Sequence, residues 1–222
     1  MQNEEPQTDR LRGLVAFVVS VGVYYVAQRV INPAVAARLE PMLPPSDGLG
    51  LFLRHLLEFS TLDAFLCLGT WYAFARAGWL GSPRAWLGFG PEPRHAIRWG
   101  VVIGVALSAA VVVVGVALGE KVHFHPDGWK MAGNIFSNYF EELIYRGLLL
   151  QAAWAMTGSR IGGVVLSSAL FGWSHAHGSH AAFMAVAASV AGLVFGLAAI
   201  RTRSLGGAWT AHQISDMILD SL

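Results

Sequence analysis

Glu141-Glu142-Leu-Ile-Tyr-Arg146 sets two acids and an arginine inside an apolar segment that runs from about Asn134 to Met156. Ionisable groups at membrane depth are expensive and mark function by default. Two later apolar segments carry polar insertions of the same kind, Phe171-Gly-Trp-Ser-His175 and His212-Gln-Ile-Ser-Asp216. Polar insertions on three separate helices point to one buried polar site, and its carboxylates and imidazoles suit hydrolysis.

The spacing assigns different tasks to the two acids. Adjacent residues on a helix point about 100° apart, so Glu141 and Glu142 cannot do the same job. Glu142 and Arg146 are four apart and can pair on one face, which holds both charges in a low-dielectric interior. Glu141 is then left without an obvious local partner. A desolvated carboxylate of that kind can accept a proton from water near neutral pH. The plainer reading has both glutamates only gluing helices together, a poor use of stability for two buried acids.

Phe171 and His175 share a helix face, and a histidine near a carboxylate can hold or shuttle a proton. His177 and His180 follow closely and read as a solvated, histidine-rich loop. The competing reading is a metal cluster, His175-x-His177 with Glu141 as an added ligand. His212 and Asp216 share a face as well, and the carboxylate can fix the ring's tautomer. Read alone, they could equally be an isolated polar pair near the end of the chain. His123 and His125 receive no role.

The elements that must position these groups follow from composition. The 222 residues are 55% hydrophobic and 13% charged, with mean hydropathy +0.50. Soluble domains carry about 25% charged residues, so the expected class is all-α, a polytopic transmembrane helix bundle. A net charge of +1 gives no argument for nucleic acid. Cys67 is the only cysteine, which excludes an intrachain disulfide and a cysteine metal cluster. Glu4, Glu5 and Asp9 argue against a cleavable signal peptide, so the first apolar stretch reads as an uncleaved span.

About seven spans are expected. They are Leu11 to Ile31, ended by Asn32-Pro33, Leu51 to Ala75, Ile97 to Gly119, the segment bearing Glu141, Ile161 to His175, Ala181 to Ile200, and Leu205 to Leu219. Three Gly-x-x-x-Gly spacings occur, at Gly100/Gly104, Gly115/Gly119 and Gly192/Gly196. The spacing suits close helix packing, yet glycine is common enough in membrane helices to account for each. Arg10, Arg12, Arg76, Arg84, Arg94, Arg98, Arg160, Arg201 and Arg203 fall at alternate loops, against Arg29, Arg38, Arg54, Lys121 and Lys130 on the other side. That bias places the N-terminus in the cytoplasm. Short loops and the lack of a repeat make residues 1–222 one membrane-embedded domain, its motif-bearing core about 134–219.

Glu-Glu-x-x-x-Arg, then Phe-x-x-x-His, then His-x-x-x-Asp, in that order on successive membrane segments, resembles the CPBP family. That family joins type II CAAX prenyl endopeptidases with the bacterial bacteriocin-processing and immunity (Abi) proteins. The resemblance covers about Asn134 to Asp216. It implies an intramembrane endopeptidase in a bacterial plasma membrane, acting on a peptide or protein substrate that is in some members lipidated. On that analogy Glu141 and His175 activate the water, and His212 with the residue four positions on stabilises the oxyanion. The residue here is Asp216, where the type II enzymes carry asparagine; a carboxylate donates only when protonated, so Asp216 can instead orient His212. No HExxH motif is present and no cofactor is expected; if zinc were held, Glu141, His175 and His212 would be its ligands, with Asp216 as a fourth group. The alternatives are a non-catalytic immunity or scaffold protein and a proton or metal transporter. An inverted repeat would favour a transporter, and the chain shows none.

Overall fold

The computed structural model describes residues 9–44, 48–58, 61–117, 119, 121–178 and 180–222, and among them every regular element is helical. Helix α1 (Arg10–Val26) passes through a π-helical stretch, Ala27–Ile31, into α2 (Asn32–Leu39). Then come α3 (Gly48–Glu58), α4 (Thr61–Arg76) and α5 (Pro93–Ala117). Helix α6 (Gly128–Glu142) continues through a second π-helical stretch, Leu143–Leu149, into α7 (Leu150–Thr157). The chain ends with α8 (Arg160–Ser174), α9 (Ala181–Thr202) and α10 (Leu205–Leu219).

Local chemistry explains the ends. The Asp127 carboxylate accepts from the backbone N–H of Trp129 and Lys130 at 2.9 and 3.1 Å, capping the orphan donors of α6. The Ser159 hydroxyl does the same for α8 through Gly162 at 3.2 Å. Gly158, at φ +68°, supplies the left-handed residue that turns the chain between α7 and α8.

One expected boundary is corrected. The first helix does not stop at Asn32-Pro33. Pro33 falls in the first turn of α2, where its missing N–H costs nothing, and the π-helical stretch before it carries the chain through. Of the stretch expected as one span from Leu51 to Ala75, α3 and α4 are described, and residues 59–60 between them lie outside the described residues. Among the described residues three helical stretches are long and apolar enough to cross a membrane, Arg10–Met42, Pro93–Ala117 and Ala181–Thr202. Helices α4, α8 and α10 have 16, 15 and 15 residues, below the roughly 20 that span a bilayer without tilt or thinning. Exposed Val18, Val102, Val113, Phe183 and Val186 leave the long helices an apolar outer face.

Glycines set how closely the helices approach. A Cβ on Gly104 would lie 2.7 Å from the Ala211 carbonyl oxygen, and one on Gly100 would lie 2.8 Å from that of Gly207. Both face α10. Gly192 and Gly196 face α8, with Ser168 Cα and Val164 Cγ1 at 3.1 and 2.9 Å from the positions their Cβ atoms would take. Two of the three Gly-x-x-x-Gly pairs are therefore helix contacts, whereas Gly119 at φ +91° has open space around it. The α5 contact fixes the height and rotation of α10, which carries His212. Gly104→Ala is expected to lower stability by about 1–3 kcal/mol through overpacking against backbone. Thermal unfolding in detergent checks it, with Gly22→Ala, where a Cβ meets nothing within 4 Å, as the neutral comparison.

Candidate active site

Polar residues recur on α6 at Asn134, Asn138 and Glu142, four apart, and along α10 and its C-cap at His212, Asp216 and Asp220, again four apart. The two helices pack together antiparallel, and the two stripes meet rung by rung. At one end Asn134 Nδ2 donates to Asp220 Oδ2 at 2.8 Å, with Lys130 Nζ 2.8 Å from the other oxygen of that carboxylate. In the middle Asn138 donates to Gln213 Oε1 at 3.2 Å and is also a hydrogen-bond partner of Asp216. At the third rung His212 Nδ1 lies 2.9 Å from Glu142 Oε1.

That same Glu142 oxygen accepts from Arg146 Nη1 at 2.9 Å, and both side chains are fully buried. Arg146 also donates from Nη2 to the Gly192 carbonyl at 3.3 Å, tying the π-helical stretch to α9. Its guanidinium lies over Phe171 and Phe195, 4.4 and 5.3 Å from the ring centroids. Phe195 in turn stacks on His212 at 4.8 Å. Glu142, Arg146 and His212 thus form one clamped unit. Since Glu142 Oε1 is already an acceptor for arginine, the facing Nδ1 of His212 carries a hydrogen. Nε2 of His212 is turned to the other side, 3.6 Å from Asp216 Oδ2. The imidazole is bracketed by a carboxylate on each nitrogen.

His175 caps the C-terminal end of α8, and its Nδ1 lies 2.8 Å from the Phe171 carbonyl oxygen. A carbonyl only accepts, so Nδ1 carries the hydrogen and Nε2 keeps the lone pair in the neutral ring. The Phe171 ring lies between the two imidazoles, 4.5 Å from His175 and 5.8 Å from His212. His175 is within electrostatic range of His212 and Asp216. His177 is exposed, as is His180.

Glu141 is half-buried, and among the described residues no hydrogen bond or ion pair holds its carboxylate. It lies within electrostatic range of His212, Asp216, Glu142 and Arg146. The hydroxyls of Tyr24 and Tyr145 are hydrogen-bonded to each other and lie within electrostatic range of it. Sequence reasoning passed over Asn138, Phe195, Tyr24 and Ser174. For Asn138 a signal existed, because it stands four residues before Glu142 on the same face. Tyr24 carries none, since its partner Tyr145 is far along the chain. Among the described residues no three of His, Cys, Asp and Glu converge to hold a metal ion.

Residues 128–218 match the family model described as type II CAAX prenyl endopeptidase Rce1-like. The segment is Rce1-like. No curated protein and no solved structure matches the chain. The Rce1-like segment opens at the first residue of α6 and closes inside α10. It therefore holds Glu141, Glu142, Arg146, His175, His212 and Asp216 together, and it leaves out α1 to α5. Three helices among the described residues are long and apolar enough to span a bilayer, and together with the Rce1-like match they support an integral membrane protein.

Proposed function

We propose that the protein is a membrane-embedded endopeptidase of the type II CAAX kind, in which Glu141 activates the water that attacks the peptide carbonyl. The observation that carries this reading is the division of labour between the two acids. Glu142 is committed to Arg146 and His212, whereas Glu141 is uncommitted and partly accessible. The match to Rce1-like endopeptidases over the same residues supports it.

In this mechanism Glu141 takes a proton from water as the oxygen attacks the carbonyl carbon. Nε2 of His175 is the second acceptor near the water. The oxyanion that develops is met by His212 in its doubly protonated form, which has a carboxylate facing each nitrogen and donates from Nε2; donors at such positions are each worth a few kcal/mol of barrier. Glu142 is a positioning residue that accepts from Nδ1–H of His212, and Asp216 orients the ring from the far side. As the tetrahedral species collapses, the C–N bond breaks and the amine leaves with the proton Glu141 took. The mechanism routes no step through a metal ion. Chelation is accordingly expected to leave activity unchanged, with purified protein carrying far less than one metal ion per chain by elemental analysis. Stoichiometric zinc that restores lost activity would overturn this.

We further propose that the chain is one membrane-embedded unit, with the short helices α4, α8 and α10 and the α6–α7 rod crossing the bilayer beside the three long ones. The arginine-rich end then faces the cytoplasm of a bacterial cell. The test of function is hydrolysis of CAAX-type peptides, with and without a prenylated cysteine, by protein reconstituted in liposomes. Release of the C-terminal fragment is the expected result, and the pair of peptides reads whether lipidation matters. No cleavage of either by folded protein would remove the peptidase reading and return the non-catalytic one.

A further inference from the structure

The polar stripe between α6 and α10 continues outward from the catalytic groups. Its outermost rung is the Lys130–Asp220 pair, with side chains 44% and 28% exposed. One turn further in, the Asp216 side chain is still 31% exposed. Only at the next turn does exposure close, to 8% at His212 and none at Glu142. Accessibility therefore holds level from the rim to a carboxylate 3.6 Å from Nε2 of His212. Asp220 and His212 are eight residues apart, so the distance covered is about 12 Å at the rise of a helix.

What Asp216 is exposed to follows from its chemistry. A carboxylate turned toward hydrocarbon is costly, and ionisable side chains of membrane helices face the bundle interior or a water-filled cavity. The neighbours of Asp216 are polar as well. Asn138 is its hydrogen-bond partner and donates to Gln213 at 3.2 Å, and Asn134 donates to Asp220 at 2.8 Å. All three amide side chains are buried, so they line the stripe from within. At the rim the connection between α5 and α6 lies against the end of the chain. The backbone N–H groups of His123 and His125 donate to the Leu222 and Ser221 carbonyls at 3.0 and 2.7 Å. Both histidines are exposed, which keeps this end of the bundle polar.

We infer that the seam between α6 and α10 is the route by which water reaches the buried site, entering at the Lys130–Asp220 rim and passing Asn134, Asn138 and Asp216 to the Nε2 side of His212. An amide side chain offers both donors and an acceptor, so Asn134 and Asn138 can exchange hydrogen bonds with a passing water. In the hydrolytic reading that water is the attacking reagent. The route itself rests on exposure and polarity, and only its use rests on the proposed function.

Cysteine labelling tests the route on the full chain in lipid nanodiscs, where both faces meet the reagent. A charged methanethiosulfonate stays in water and reacts with the thiolate. Cys67 is fully buried, so the native chain sets the background. Asp216→Cys is expected to react at least about tenfold faster than Val105→Cys or Val190→Cys, whose thiols in lipid would stay protonated. Those two valines are exposed mid-helix on the apolar outer faces of α5 and α9. Adding Asn134→Leu to Asp216→Cys is expected to slow labelling by about fivefold, the equivalent of one hydrogen bond to water. Asn134→Ser leaves a polar group in the same place and is expected to keep the rate. With the unfolding midpoint of each variant, it separates a closed route from a damaged fold. Labelling of Asp216→Cys no faster than that of the valine positions would overturn the route, since the side chain would then face lipid. An unchanged rate with Asn134→Leu in folded protein would overturn it as well, by putting the entrance elsewhere. Each rate is read without turnover. Labelling as expected with no peptide cleaved would leave the route standing and remove the peptidase; cleavage without labelling would do the reverse.

Discussion

Glu141→Gln is expected to reduce peptide hydrolysis by about 10²–10⁴-fold with the protein still folded in the membrane. The substitution is nearly isosteric, so the packing of α6 is left alone. No hydrogen bond or ion pair among the described residues is lost with the carboxylate, so stability is expected to change little. What disappears is a carboxylate near His212 that no hydrogen bond or ion pair holds among the described residues. Glu142→Gln is the informative comparison. It touches both Arg146 and His212, so activity and thermal stability should fall together. Rates are measured on the cleaved peptide, and folding by circular dichroism in the same detergent. Glu141→Gln activity within about tenfold of wild type would remove Glu141 from the role of base.

Arg146→Ala is expected to destabilise the protein by about 3–5 kcal/mol, because it strands a buried charge. Glu142 is completely buried, and its Oε2 has no hydrogen-bond partner. Without Arg146 the carboxylate would keep only His212. The loss reaches further than one ion pair, since the guanidinium also covers Phe171 and Phe195 and binds the Gly192 carbonyl of α9. Removing both charges together should hurt less than removing one. Glu142→Gln with Arg146→Met is therefore expected to recover part of the loss. Thermal unfolding of the single and double variants in detergent reads both effects. An unchanged midpoint for Arg146→Ala would mean that the pair contributes nothing to the fold.

What the sequence made legible was whatever is local. Glu142 and Arg146 could be read as neighbours because four residues on a helix bring them to one face. His212 and Asp216 could be read the same way. The bond between Glu142 and His212 could not, because it depends on where α10 docks. That docking is set by Gly100 and Gly104 of α5, and hydropathy treats those glycines like any others in an apolar run. The polar stripe Asn134, Asn138, Glu142 was visible as spacing and was passed over for the charged residues beside it. Helix ends were harder where backbone geometry rather than composition decides. Pro33 reads as a stop signal, yet it is harmless in a first turn that follows a π-helical stretch.

Glu142 ends the 15-residue α6, with seven π-helical and eight α-helical residues beyond it, so it stands midway along the α6–α7 rod. The wider turn there does for the rod what a crank does for a shaft. Each residue added without a full α-helical turn shifts the angular phase of everything beyond it by up to about 100°. The half before the crank addresses α3 and α10, and the half after it addresses α1 and α8. In an uninterrupted helix those two faces would be locked at a single angle, and a sequence could satisfy one set of neighbours only by compromising the other. The offset lets each half be tuned separately, with Arg146, inside the crank itself, joining the two through Glu142 and Gly192.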